Sequence, residues 1–365
     1  MVAMAAVAGW HGQTLANGAG DDRLEGIEQR LRYMEQRLQA QDQVIRDKDQ
    51  RIAELETTAG ADSWLSRIEL AGVVEVEAGY NKTDGADATT DLSVATVELG
   101  IAAKVNDWVH AETVLLYEGE DLEVDVAQIS IAPPDGGWSL AAGKLYLPFG
   151  SFETQMVSDP LTLEMGETGE NAVVAGIEAN GFSAAAYLFN GTNNKGGADD
   201  SKIDNFGVNL GYVIEGDGYG FAAGVGYIND LSDSDTIQDA LVANDNVDYV
   251  AGWTASATFS SGPVTVIGEY LAAMDPIAGL GGEQPEAWNI EAGYSFAIGS
   301  REATVAVGYQ GTEQAASLDL PESRLLAALS VEVMKQTSVA VEWARDEAYG
   351  GERSNTLTAQ LAVEF

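Results

Sequence analysis

The hydrophobic positions of this chain change period once, near residue 60. From Leu24 to Leu55, apolar residues recur at alternating spacings of three and four: Leu24, Ile27, Leu31, Met34, Leu38, Ile45, Ile52 and Leu55, with Gln41 and Lys48 as polar interruptions. This is an a/d heptad seam, and it predicts a coiled coil over residues 21–58. Its flanks carry an ordered charge pattern. The e positions are Glu28, Glu35, Asp42, Asp49 and Glu56, and Arg30, Arg37 and Arg51 stand at g. In a parallel arrangement each such arginine meets the e-position acid of the next heptad on its partner, which predicts a parallel homo-oligomer.

After a small-residue linker at Thr57–Ser63, the period falls to two. Ile68, Leu70, Val74, Val76, Ala78 and Tyr80 point one way, while Glu69, Glu75 and Glu77 point the other. The same alternation recurs to the C-terminus, where Leu357, Ala359, Leu361, Val363 and Phe365 oppose Thr356, Thr358, Gln360 and Glu364. Punctuation by Gly, Pro, Asn and Asp divides residues 64–365 into sixteen segments: about 67–80, 91–105, 108–118, 122–132, 137–148, 171–179, 182–190, 204–215, 219–230, 247–259, 264–273, 286–298, 302–312, 322–334, 337–346 and 355–365. Tight connections such as Asn180-Gly181 and Lys335-Gln336 alternate with longer ones such as 149–170 and 191–203. Seven short turns and eight longer loops predict an all-β membrane barrel: a 16-stranded antiparallel outer-membrane β-barrel preceded by an N-terminal α-helical coiled coil. An even strand count puts both chain ends on the turn side, so the coiled coil is expected in the periplasm. Tyr80, Trp108, Tyr117, Trp138, Tyr212, Tyr219, Tyr270, Trp288 and Tyr309 fall near segment ends, the placement of interfacial girdles facing lipid. A soluble β-sandwich also alternates, but its connections do not sort into short and long by turns.

The first twenty residues contain no Lys, Arg, Asp or Glu, and Val2–Gly9 is apolar. They read as a residual signal peptide without its basic start, or as a disordered tail. The run Gly143–Thr168, GKLYLPFGSFETQMVSDPLTLEMGET, resembles the signature of the LbtU-type siderophore porin family. RIELAGVVEVEAGY at Arg67–Tyr80 resembles that family's first barrel strand. The resemblance implies a sixteen-stranded barrel with a role in siderophore-mediated iron uptake, the ferric siderophore being a solute.

Composition changes the picture in two ways. The net charge is −40, from 58 acids against 18 bases. Such a surplus repels phosphates, so nucleic-acid binding is excluded as a function class. The acidity reads either as a negatively charged pore or as the solubilising surface of a salt-tolerant organism's protein. From residue 57 onward 48 acids face 11 bases, and between Ile203 and Ser300 there are 14 acids and no Lys or Arg. With no cysteine and only His11 and His110, thiol chemistry and multi-histidine metal sites are excluded. No G-x-S-x-G elbow occurs and no carboxylate pair stands out as acid and base, so the chain reads as a non-enzyme with no cofactor and no metal site.

Strand parity assigns Glu69, Glu75, Glu77, Glu98, Glu112, Glu178, Glu269, Glu291, Glu332 and Glu342 to the lumen, because the lipid face holds charge only at high cost. Parity fails to place Asp125 and Lys144. The longest connection contributes Glu153, Asp159, Glu164, Glu167 and Glu170 and no base, together with apolar Phe149, Phe152, Met156, Leu161 and Met165. These predict a constriction loop folded into the barrel, against a plain surface loop. Asp230–Asp248 reads as a solvated acidic loop, with weak divalent binding as the alternative. The functional expectation is a passive porin, a homotrimer in architecture, passing small solutes or ferric siderophores. The alternatives are a general cation-selective porin and an envelope tether. Anionic siderophores would be repelled by an acidic lumen, so either Arg324, Arg345, Lys104 and Lys144 form a local basic track or the pore passes cations and small neutral solutes.

Overall fold

The computed structural model describes residues 67–119, 121–193, 202–241 and 248–365. The first twenty residues and the heptad segment 21–58 lie outside the described residues. Sixteen antiparallel strands form one closed barrel in which every strand pairs with its neighbours in sequence. They are β1 (Ile68–Thr83), β2 (Thr89–Lys104), β3 (Val109–Tyr117), β4 (Leu122–Ile131), β5 (Trp138–Tyr146), β6 (Gly169–Ala179), β7 (Phe182–Phe189) and β8 (Asn205–Gly216). The second half comprises β9 (Tyr219–Ile228), β10 (Gly252–Ser261), β11 (Val264–Ala273), β12 (Glu286–Ile298), β13 (Arg301–Glu313), β14 (Ser323–Met334), β15 (Thr337–Glu347) and β16 (Arg353–Glu364). Closure comes from β1 against β16, in register from Val73↔Glu364 to Thr83↔Ser354. Closing the sheet leaves no unpaired strand edge.

The turn chemistry explains the tight end of the barrel. Between β6 and β7, Asn180 and Gly181 both adopt positive φ (53° and 81°), as a two-residue hairpin requires. The expected alternation of short and long connections fails in the first part of the barrel, where the β2–β3 connection at 105–108 is as long as the β3–β4 connection at 118–121. The turn between β4 and β5 spans residues 132–137, longer than the connection at 118–121 between β3 and β4. The tenth strand also begins at Gly252, five residues later than the pattern suggested.

Facing residues show which side of the wall is which. Large apolar side chains lie exposed on the outer face, among them Leu70, Leu92, Ile129, Ile177, Leu210, Ile290 and Leu361. Aromatic pairs mark both ends of that face. Trp108–Trp138 and Phe182–Tyr212 sit at the short-turn rim, while Trp253–Tyr270, Trp288–Tyr309 and Phe206–Tyr227 sit near the long-loop rim. A soluble protein inverts this distribution; here the apolar band surrounds the molecule.

The hydrophobic core is therefore local. Phe149, Leu161 and Met165 from loop L3 (residues 147–168) pack with Tyr187, Phe189, Ile228 and Leu271 of the wall. Leu231, Ile237, Ile277, Leu280, Leu318 and Leu320 from three other long connections join them. Two short helices belong to this roof: α1 (Leu161–Gly166), which follows Pro160, and α2 (Asp235–Ala240). The roof packs against the inner wall at the long-loop end, on residues of β5–β7, β9, β11 and β12.

A candidate pore constriction

Loop L3 leaves β5, crosses the barrel interior to β15 and returns to β6. Three wall glutamates hold it, one per crossing point. Glu269 on β11 accepts the backbone N–H groups of Ser151 (2.8 Å) and Phe152 (2.9 Å) and the Thr162 hydroxyl (3.2 Å). Glu291 on β12 accepts the Thr154 hydroxyl (2.8 Å), the Gln155 N–H (2.7 Å) and the Asn289 amide (3.0 Å). Glu342 on β15 takes the tip: the Val157 N–H at 2.6 Å, the Ser158 hydroxyl at 2.6 Å and the Ser158 N–H at 3.3 Å. A carboxylate is acceptor-only when ionised, so this arrangement matches it to donors that have no partner inside a loop. Such charge-assisted bonds are the stronger kind.

The returning segment is held by neutral groups. Gln310 accepts from Leu161 N–H at 3.2 Å, and Thr254 donates to the Phe149 carbonyl. The wall also makes room for the chain. A Cβ added at Gly226 of β9 would lie 2.0 Å from the Phe149 carbonyl oxygen, so only glycine lets the loop backbone approach there. At the tip, Met156 packs against Ala306, Leu326 and Ala328.

The sequence-derived residues thus fall into separate places. Glu269, Glu291 and Glu342 face inward, but all three are at least 95% buried, and their charge is turned onto L3 amides rather than onto open solution. Glu69, Glu75, Glu77, Glu98 and Glu112 share the inner face of β1–β3. Glu69 and Glu112 both register against Ala102, and Glu77 accepts from Gln360 (2.9 Å) across the β1–β16 seam. Glu112 accepts from Gln128 at 2.9 Å. Glu178, opposite Ser183, and Glu332, opposite Ser338, lie toward the short-turn rim.

On the loop, Glu153 accepts from Thr258 (2.6 Å), and Glu164 lies 3.6 Å from Arg324. Asp159 is half-buried; burial, with Glu164 nearby, pushes its carboxyl up to about 7. Glu167 is pushed up to about 8 by burial and by the charges of Asp235 and Asp159. Glu170 does not belong to the loop: it is the second residue of β6, beside Leu145 in register.

Two expectations are corrected. The four bases form no track. Arg324 faces inward and is engaged by Asp346 (2.9 Å) and Glu164, while Lys104 sits far away at the short-turn rim, paired with Asp107 at 3.0 Å. Arg345 lies three residues from inward Glu342 and so on the opposite face, and Lys144 registers with exposed Asn171 on the outer side. The start of the Asp230–Asp248 segment is not solvated either. Asp230 and Asp233 are fully buried and accept from Asn193, Asn205, Ser232 and Val250. Five donors offset the burial of two carboxylates, and together they lock this connection to the one after β7.

Sequence reasoning missed the donors of the clasp, Thr154, Ser158 and Thr162, and the wall amides Gln310 and Asn289. Their partners are 107 to 184 residues away, apart from the local Asn289–Glu291 pair, and backbone donors leave no mark in a sequence.

No protein-family model matches the chain. It is 25% identical over 343 residues to a UPF0422 protein of Coxiella burnetii, an alignment covering 82% of this chain and 73% of that one. A UPF0422 protein of Legionella pneumophila strain Paris is 24% identical, over 82% of this chain and 66% of its own length. Among solved structures, OprB of Pseudomonas putida superposes with a TM-score of 0.60 at 11% identity, covering 84% of this chain and 97% of that one. The anion-selective porin from Comamonas acidovorans gives 0.57 at 13% identity, over 82% and 99%. The trimer form of OmpT from Vibrio cholerae gives 0.52 at 13%, over 82% and 99%. The fold is that of the outer-membrane porins.

Proposed function

We propose that this chain is an outer-membrane porin, a non-enzymatic channel through which small solutes diffuse, cations ahead of anions. The observation that carries the reading is the inward loop clasped across the lumen by Glu269, Glu291 and Glu342. A loop fixed inside a barrel narrows it without sealing it, and a narrowed bore is where wall charge acts on a passing ion. On the inner face of β1 and β2 stand Glu69, Glu75, Glu77 and Glu98, and the inward-facing bases Lys104 and Arg324 are each already paired with acids. The apolar outer band and its two aromatic belts support lipid around the barrel.

The reading extends to a homotrimer, supported by the likeness in fold to a protein solved as a trimer and by the heptad pattern of residues 21–58, which would stand in the periplasm. Reconstitution in planar bilayers under a KCl gradient tests the function. Ion-conducting steps with a reversal potential of cation sign are expected. Anion preference would sink the acidic-bore reading, and silence would favour a closed tethering barrel.

A second reading is iron uptake. Its support is that the siderophore-porin-like run Gly143–Thr168 builds L3 itself, the part that decides what passes. Impaired growth of a deletion strain on defined ferric siderophores, restored by the wild-type gene, is the expected result. Unaltered growth on all of them leaves general permeability.

A further inference from the structure

The inner-wall acids divide by what they touch. Those of β11, β12 and β15 are occupied by L3, whereas among the described residues no L3 group donates a hydrogen bond to the acids of β1 and β2. Among these, Glu75 is 2% exposed, and its Oε2 is buried without a hydrogen-bond partner. Directly opposite, Thr96 is 5% exposed. Glu98 follows two residues along β2 on the same face, diagonal to Glu75, and receives no hydrogen bond from a described residue. The register slips beside this point, because Ala95 is unpaired between Thr96 and Val94. Such bulges re-aim neighbouring side chains.

A buried carboxylate oxygen without a donor is costly, so the position is suited to a cation that brings donors with it. A metal ion is a poor match: among the described residues, no group of three His, Cys, Asp or Glu side chains is arranged to hold one. A primary ammonium group is a better one. It carries three N–H donors and no acceptor, and the three side chains supply two carboxylates and one hydroxyl. We infer that Glu75, Glu98 and Thr96 form a binding step for the primary ammonium group of an amine solute within the bore. The inference rests on the porin reading above. Glu77, two residues from Glu75 on the same face, is the nearest further carboxylate for the second ammonium of a diamine.

The test is calorimetric binding of 1,4-diaminobutane to the full chain folded in detergent, so that its outcome does not depend on conductance. Binding is expected for wild type and for Glu178→Gln, which removes a lumen acid far from the step. Glu75→Gln and Glu98→Gln should each weaken binding by about tenfold, equivalent to about 1.4 kcal/mol. Glu75→Asp, which keeps the charge, should retain most of it, separating loss of the site from loss of the fold. Failure of wild type to bind overturns the inference, as does equal binding by the Gln variants. Planar-bilayer conductance of the same samples judges the porin reading separately.

Discussion

Removing the Glu342 carboxylate should release the tip of L3 while leaving the barrel closed. Glu342 accepts two bonds of 2.6 Å, from the Val157 N–H and the Ser158 hydroxyl, and a longer one from the Ser158 N–H. In Glu342→Gln the charge is lost, and one of the two acceptor atoms becomes a donor that faces a backbone N–H. Bonds to charged groups contribute roughly 1.5–3 kcal/mol each, and the freed loop groups recover part of that from water in the bore. A net cost of about 2–3 kcal/mol to the docked tip follows, or roughly a 30- to 150-fold shift toward release. The chain has no cysteine, so a single Met156→Cys reports on the tip. Met156 is buried against Ala306, Leu326 and Ala328, and a thiol there should react slowly with a water-soluble methanethiosulfonate. Adding Glu342→Gln should speed that reaction by the same factor and raise current noise. Equal labelling rates in the two backgrounds would refute the clasp, since the cysteine would then be held by packing alone.

Three further outcomes follow from the same geometry. Gly226→Ala places a Cβ 2.0 Å from the Phe149 carbonyl oxygen, a backbone atom, whereas Gly308→Ala meets only side-chain atoms, the end of Met156 at 3.0 Å, Glu291 Cγ at 3.3 Å and Leu326 Cδ1 at 3.4 Å; heat-modified gel mobility should show about 1–3 kcal/mol of destabilisation for the first and less for the second. Arg324→Gln frees the charges of Asp346 and Glu164, so the reversal potential in a KCl gradient should move further toward the cation limit; no movement would show that this cluster lies off the ion path. Burial holds Asp159 at about 7, Glu167 at about 8 and Asp233 at about 8, all above their unfolded values near 4. The folded roof then binds more protons than the released one, so its stability is fully present below pH ~4 and declines as pH rises toward about 8. Current fluctuations should grow between pH 5 and pH 9 and be weaker in Glu167→Gln; a pH-independent record would remove these groups from the roof's stability.

The identity of the fold was legible because each strand carries its own instructions. Period-two alternation at Ile68–Tyr80 or Leu357–Phe365, with turn chemistry at Asn180-Gly181, is local, and a closed meander pairs each strand with its neighbours in sequence. Parity alone put Glu269, Glu291 and Glu342 on the inner face, because side chains alternate whatever the tertiary context. It failed at Asp125 because a bulge lies between Val114 and Leu115 in the β3–β4 register, and a bulge leaves no signature in composition.

What the inner-face acids do was decided only in three dimensions. Glu342 and Glu98 look alike in sequence, each an acid within an alternating apolar run. One meets loop amides 184 and 185 residues away, and the other faces a side of the barrel that L3 does not reach. The same holds for Asp230 and Asp233, which composition presented as solvated and folding buried among amide donors. Sequence determines a side chain's charge and the face it takes on its strand. Whether that charge meets water, a solute or a backbone N–H depends on which distant segment arrives opposite, and only the closed barrel settles that.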